Sequence, residues 1–531
     1  MSTAKIGKLK FLSANWFYLF LVFVILVGVV LRCIDIDRRV YWGDEIVTSL
    51  RMSGYTMAEV VKNLTSQSIV SISDLMVYQH PSSTNDLAST INGLIVEEPQ
   101  HAPIYFFLTR LWIQLFNNLG NSVVVIRSFS VFVNLLSFAC LYWLCLELFS
   151  LRSIGIIAVA LVAVSPFNLV YAQEARPPAL WFFVIILSSA LFLRAIRLNT
   201  KLSWIAYAIS VILSLYTFLF SLLVFASHGI YILLMQRFRL TKAMISYLIS
   251  IFVSILAFIP WLIVVVSNLK VINNATGWSS EKIGSLNLLR LVVNNLRDVF
   301  FSIGDGFIYL TFFLLILIGF SLYFLWRKTS KHVWLFVFSI IGVNIVVLLL
   351  PDVLNGGTLR SAASRYFIAS YLGLYLSLAY LFHTYATSSV RYLRAFWQVI
   401  AIFLLILGII SCLAISKSEL SFNQATYRNV ITLAKNINKY EYPLILANSK
   451  YSNNIIGLIG LSYRLKSDTQ FKLIDNTSQK IIPESSKSIF VYGGDFDLIL
   501  NMEKEKYEPQ LIFDDRNNQC CSENLWYLKQ K

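Results

Sequence analysis

About eleven apolar runs, each near the length a helix needs to cross a bilayer, occupy most of the first 416 residues. They lie near 16–31, 131–149, 153–171, 178–196, 202–219, 221–236, 243–266, 306–326, 332–350, 366–385 and 396–416. The chain is 57% apolar and only 14% charged, against about 25% charged in ordinary soluble domains. A soluble globular body is therefore excluded, and the fold class read from the sequence is a polytopic α-helical membrane protein. The first run follows Lys5, Lys8 and Lys10 and has no small-residue cleavage pattern after it, so it reads as a retained span.

The net charge of +16 sits between the apolar runs and forms no basic face for a nucleic acid, so no nucleic-acid partner is expected. Short cytoplasmic connections retain Lys and Arg. With the N-terminus inside, the inward connections hold Arg152, then Arg194, Arg197 and Lys201, then Arg237, Arg239 and Lys242, then Arg327, Lys328 and Lys331, then Arg391 and Arg394. An odd number of spans puts the C-terminus outside. Of the carboxylates before residue 417, only Glu147 then falls on the inner side. The expected location is the plasma, or inner, membrane.

Three outer segments are long: about 33–130, about 267–305, and everything after 416. In the first, Ile104, Phe107, Leu108, Leu111, Trp112 and Leu115 share one helical face, as in a helix lying on the membrane surface. After Lys417 the composition changes abruptly. The strings 442–446 and 488–492 read as buried strands and 422–440 as a helix, so a small soluble α/β domain is expected over 417–531. The expected division is thus a 1–416 transmembrane domain, with 33–130 as its outer catalytic loop, and an extracytoplasmic α/β domain. The six cysteines show neither metal-ligand nor framework spacing. Cys520 and Cys521 are adjacent, which leaves two thiols or a bridge to a partner open.

Four pieces carry candidate chemistry. Asp44 and Glu45, within Tyr41-Trp42-Gly43-Asp44-Glu45, are carboxylates near the membrane surface that can accept a proton or hold a cation. Taken in isolation, the same pair is ordinary solvated surface. His101 stands where Pro103 starts the surface helix, whose N–H groups favour an anion; a polar rim residue is the plainer reading. Glu174 and Arg176, in Tyr171-Ala172-Gln173-Glu174-Ala175-Arg176, lie between two apolar runs. There, ionisable groups need a partner or a watered cavity, and a structural ion pair explains them as well as a substrate site does. Arg365 and Tyr366 precede the tenth run. A guanidinium binds two phosphate oxygens at once, although an arginine reaching outer headgroups would look the same.

These pieces, in this order, resemble the bacterial integral-membrane glycosyltransferases of the C-type fold, in particular the family 39, protein O-mannosyltransferase-like group. The resemblance rests on Asp44-Glu45, His101-Ala102-Pro103-Ile104-Tyr105-Phe106, Arg127-Ser128-Phe129-Ser130 and Tyr171-Ala172-Gln173-Glu174-Ala175-Arg176. It covers about the first 200 residues, and the remainder by topology and Arg365-Tyr366. The family typically has His-Pro-Pro-Leu-Tyr where this chain has His101-Ala102-Pro103-Ile104-Tyr105, and Arg-Met-Tyr where it has Arg176-Pro177-Pro178.

The resemblance implies transfer of a sugar from a polyprenyl-phosphate-linked donor to an acceptor hydroxyl or amine at the outer face, with inversion. Asp44 would be the base and Glu45 would orient the acceptor or tune Asp44. His101, Arg127, Glu174, Arg176, Arg365 and Tyr366 would serve donor and phosphate binding. The absence of a G-x-x-x-x-G-K-[ST] loop fits a lipid-linked donor. No cofactor is required by the sequence; some C-type relatives hold a divalent metal between such carboxylates and others do without, so a metal stays open. The acceptor is open among protein, lipid and glycan. A transporter or flippase of lipid-linked saccharides is the rival reading, weakened by the long early outer loop with its surface helix, by the lack of ionisable residues in mid-span and by the lack of a visible inverted repeat. An enzyme-free envelope scaffold would leave Gln173-Glu174-Ala175-Arg176 unexplained.

Overall fold

The computed structural model describes residues 2–81, 85–116, 122–302, 304, 307–422, 424, 427–474, 488–493, 499, 507–514 and 524–531. Cys520 and Cys521 lie outside the described residues. The chain is a polytopic helical membrane protein with a small mixed sheet. Two compact units are present: Met1–Ile36, Glu98–Tyr105 and Arg127–Lys417 form the first, and Asp37–Glu97, Phe106–Ile126 and Ser418–Lys531 the second. The segment after Lys417 thus shares its unit with two pieces of the early loop.

In the first unit, eight helices among the described residues are long and apolar enough to span: Trp16–Cys33, Ser122–Phe149, Pro178–Leu198, Lys242–Ser267, Ile308–Lys328, Lys331–Leu354, Ser364–Ala386 and Arg391–Lys417. The other three expected runs are helical but depart from single full-length spans. The helices Lys201–Leu215 and Ser221–Met235 have 15 residues each, about 22 Å at 1.5 Å per residue, shorter than the hydrocarbon core. The third run is a pair, Arg152–Ala163 and Pro166–Ala172, bent by 68°.

The bend has a local cause. Pro166 offers no N–H to continue the helix and disfavours helical backbone at Ser165. Ser165 instead becomes an N-cap, its side chain accepting from the Asn168 N–H at 3.2 Å, with Pro166 at the first helical position. The break deprives carbonyls of the last turn of their regular helical partners, Val162 accepting instead from the Ser165 N–H at 3.2 Å, and a lost partner is costly away from water. Fully buried Arg32 covers them, donating to the carbonyl oxygens of Ala163 at 2.5 Å and Val162 at 3.0 Å. It also donates to Asn134 Oδ1 at 2.7 Å and to the Gly28 carbonyl at 2.9 Å. Gly28 is needed for this approach, since a Cβ there would collide with Ala163. The return contact comes from Gln173, whose amide donates to the carbonyls of Leu31 at 3.0 Å, Arg32 at 3.2 Å and Ile34 at 3.0 Å. Two helix ends therefore cap each other.

The second unit is built on a six-stranded sheet of order β1-β3-β2-β4-β6-β5. Its strands are β1 (Val70–Ser71), β2 (Pro443–Asn448), β3 (Gln470–Ile474), β4 (Ser488–Tyr492), β5 (Tyr507–Phe513) and β6 (Leu525–Gln530). β2 pairs in parallel with β3 and β4, and the other pairings are antiparallel. The helix Ser452–Ser462 supplies the crossover that the parallel β2–β3 pair requires. Both strands expected from the sequence, around 442–446 and 488–492, are present and central, and β4 is buried throughout. Such strands are covered on both faces and read as continuous apolar runs. Leu444, Leu446, Ile489, Val491 and Leu528 form the core on one face, and Phe490 packs with Tyr440 and Tyr527 on the other.

Candidate active site

In the first unit, the short helix Pro166–Ala172 ends at Gln173, and the turn that follows carries Glu174 and Arg176. Glu174 is fully buried and Arg176 nearly so, and the Arg176 N–H donates to the Glu174 carbonyl at 2.8 Å. Behind them, Ser165 donates to the Val299 carbonyl at 2.6 Å, and the Asn168 amide donates to the Tyr375 hydroxyl at 2.8 Å. The Tyr171 hydroxyl shares a hydrogen bond of 3.3 Å with Ser364, the residue before Arg365. The fold thereby brings the Tyr171–Arg176 turn beside the Arg365–Tyr366 step, although about 190 residues separate them in sequence.

Arg365 is half-buried between two rings, with its guanidinium carbon 5.8 Å from the Trp278 centroid and 5.4 Å from that of Tyr366. Tyr366 in turn packs 4.7 Å from Phe220. Aromatic faces attract a guanidinium electrostatically, so the two rings hold the Arg365 charge in place. Next to it, Asp352 pairs with Arg360 and accepts from Thr358 at 2.7 Å, which ties down the loop leading to Arg365.

His101 is half-buried, its Nε2 3.8 Å from Glu98 Oε1. Arg127 is fully buried in the helix Ser122–Phe149 and donates from Nη1 to the Ile36 carbonyl at 2.8 Å. It therefore holds the chain where the first span ends. The expected surface helix is present as Ile104–Phe116. Its protein-facing side is Tyr105, Phe106, Thr109, Arg110 and Ile113, while Leu111 and Leu115 of the expected apolar face point away from the protein.

In the second unit, Asp44 and Glu45 occupy the first turn of the helix Gly43–Met52, where negative charge favours the helix dipole. Asp44 is half-buried and Glu45 fully buried. Trp42, the N-cap residue, is 8% exposed, and its indole nitrogen finds no hydrogen-bond partner among the described residues. Among the described residues, no three His, Cys, Asp or Glu side chains gather as metal ligands. Sequence reasoning did not single out Arg32, Trp278 or Tyr427. A charged residue closing an apolar run is a signal that was available for Arg32; the other two are ordinary aromatics until the chain is folded.

Residues 100–264 match the family model described as dolichyl-phosphate-mannose-protein mannosyltransferase. No curated protein sequence matches the chain. Among solved structures, the archaeal oligosaccharyltransferase AglB from Archaeoglobus fulgidus, in complex with an inhibitory peptide and a dolichol-phosphate, superposes with a TM-score of 0.51 at 13% identity, covering 97% of this chain and 74% of that one. ArnT from Cupriavidus metallidurans, bound to undecaprenyl phosphate, superposes with a TM-score of 0.50 at 12% identity, covering 96% of this chain and 98% of that one. At such identities the likeness is one of fold. In fold, the chain is similar to AglB and ArnT, and over residues 100–264 its sequence resembles the dolichyl-phosphate-mannose-protein mannosyltransferase family.

Proposed function

We propose that the protein transfers a sugar from a polyprenyl-phosphate donor to an acceptor hydroxyl or amine at the outer face of the membrane, with inversion at the anomeric carbon. The observation that carries this reading is the family match over 100–264, the stretch that contains His101, Arg127, Glu174 and Arg176. Asp44 takes the proton of the acceptor as its oxygen or nitrogen attacks the anomeric carbon. The sugar–phosphate C–O bond breaks and its electron pair goes to the phosphate oxygen. Arg365 stabilises the leaving phosphate, aided by Arg176, and the rings of Trp278 and Tyr366 suit the start of the prenyl chain. Full burial of Glu45 favours a role in tuning Asp44 over contact with the acceptor. The N-terminus lies inside and the C-terminus outside.

The test is purified protein in liposomes with a polyprenyl-phosphate donor carrying a labelled sugar. Transfer of label to an acceptor is expected. Asp44→Asn keeps the shape and removes proton acceptance, so turnover should fall by about a hundred-fold to ten-thousand-fold with donor binding retained. Near-normal turnover of that variant removes Asp44 as the base. Movement of intact donor across the bilayer, with no bond broken, replaces the transferase reading with that of a transporter.

A further inference from the structure

The stretch leading into Asp44 is held by residues that come after the last membrane helix. The Val40 N–H donates to the Glu419 carbonyl at 2.9 Å, and the Val40 carbonyl accepts from the Gln424 amide at 3.4 Å. Arg464 reaches both sides of this pairing, donating to Glu419 Oε1 at 2.7 Å and to the Arg38 carbonyl at 2.7 Å. The Tyr41 ring lies 4.9 Å from the Tyr463 ring, and the Trp42 ring meets Tyr427 edge-on at 5.8 Å. At Gly43 the bare Cα faces the Tyr427 hydroxyl so closely that a Cβ would collide with it, and the Ile456 side chain stands behind. All of these residues belong to the second unit.

We propose that Tyr427 is a positioning residue for Asp44, and that the segment after Lys417 serves the reaction by setting the first turn of the Gly43–Met52 helix. The inference rests on the reading of Asp44 as the base. The Tyr427 ring alone would fill the space against Trp42; the hydroxyl adds reach to Gly43, the residue before Asp44. The smallest side chain opposed to the longest aromatic fixes how far that turn can advance. A misplacement of about 1 Å at a reacting group costs on the order of a hundred-fold in rate, so a contact one residue away from the base controls turnover without touching substrate.

The test compares Gly43→Ala, Tyr427→Phe and the double variant, with kcat and the Kd for a polyprenyl-phosphate sugar measured separately. Gly43→Ala should lower kcat by about ten-fold to a hundred-fold while donor Kd stays unchanged. The double variant should recover most of the loss. In it the clashing hydroxyl is gone, and the nearest remaining Tyr427 atom, ring Cζ, stands 3.1 Å from the added carbon. A residue that merely stabilises the fold would not produce rescue in kcat by a second truncation. Wild-type kcat in Gly43→Ala, loss of donor binding together with kcat, or a double variant no faster than Gly43→Ala each overturns the proposal. Should Gly43→Ala fail to accumulate, Tyr427→Ala opens a gap in place of a collision: lowered kcat at unchanged Kd supports the proposal and wild-type kcat overturns it. Asp44→Asn in the same assay separates the two readings. An inactive Asp44→Asn beside a normal Gly43→Ala removes only the positioning role, whereas an active Asp44→Asn removes the base and this role with it.

Discussion

At the break after Ala163, the carbonyls released by a bent helix are covered by Arg32, and the end of the first helix is covered in return by Gln173. At the turn before Asp44, tyrosine rings and a bare glycine Cα set the backbone by close contact, beside backbone hydrogen bonds such as that of Val40 to Glu419. The first arrangement lies inside a bundle where water cannot replace a lost partner, so every polar group must be answered by another side chain. The second lies in the sheet-bearing unit, where shape can do the holding and volume is the sensitive quantity. A site region built on hydrogen bonds should fail by unfolding; one built on shape should fail by misplacement.

The sharpest way to break this contrast is Arg32→Ala. It strips the Ala163 carbonyl and Asn134 of a donor, while the Val162 carbonyl keeps the Ser165 N–H, and each unsatisfied buried group costs about 1–3 kcal/mol. The expected outcome is a large fall in the thermal unfolding midpoint in detergent, with Arg32→Lys recovering part. An unchanged midpoint in the alanine variant would show that the mutual capping is ornamental. A smaller effect, and in a different quantity, is expected at Arg365, which sits half-exposed between rings. Charge-assisted hydrogen bonds contribute about 1.5–3 kcal/mol, so Arg365→Ala should weaken donor binding by roughly ten-fold to a hundred-fold and leave the midpoint in place. Lysine should restore only part, since a point charge cannot bind two oxygens in a fork. Equal donor affinity in wild type and both variants would remove Arg365 from the phosphate role.

The smallest effect concerns pH and belongs to the second unit. Burial holds the His80 imidazole below its ordinary value of 6.5. As pH falls, the unfolded chain takes up this proton first. Stability is therefore level above about pH 7 and declines below about 6.5, toward the lowered value in the folded protein. Unfolding of the sheet, followed by tryptophan fluorescence between pH 7 and 5, should show that decline, and His80→Gln should flatten it. An identical slope in the variant would assign the decline to other groups.

Much of the fold was legible because a bilayer imposes a length. The runs at 178–196, 243–266 and 396–416 returned as Pro178–Leu198, Lys242–Ser267 and Arg391–Lys417. The runs at 202–219 and 221–236 returned as the shorter helices Lys201–Leu215 and Ser221–Met235, since apolar length alone does not show where a helix ends. The strands β2 and β4 were legible for a similar reason, since burial on both faces leaves an unbroken apolar string. Val70–Ser71 was not legible, since two residues have no period. Within the candidate site, Glu174 and Arg176 stood out as charges between apolar runs. Arg32 closes an apolar run, but its partners were not legible, because the carbonyls it serves come from a break about 130 residues later, and Tyr427 carries no signal until Gly43 is beside it.

The pairing of Val70–Ser71 with Phe471 and Gln470 also has a bearing on how the protein is made. Ribosomes deliver the early loop hundreds of residues before its strand partner, and every membrane helix but the first has to be threaded in between. Through that interval residues 37–97 wait without the sheet that completes them. Late, sequence-distant closures of this sort are slow and leave unfinished edges exposed. The newly synthesised chain should thus pass through a stage in which the bundle is inserted but Asp44 is not yet held in place, and protection of the early loop from a protease should arrive only once the last strands have emerged.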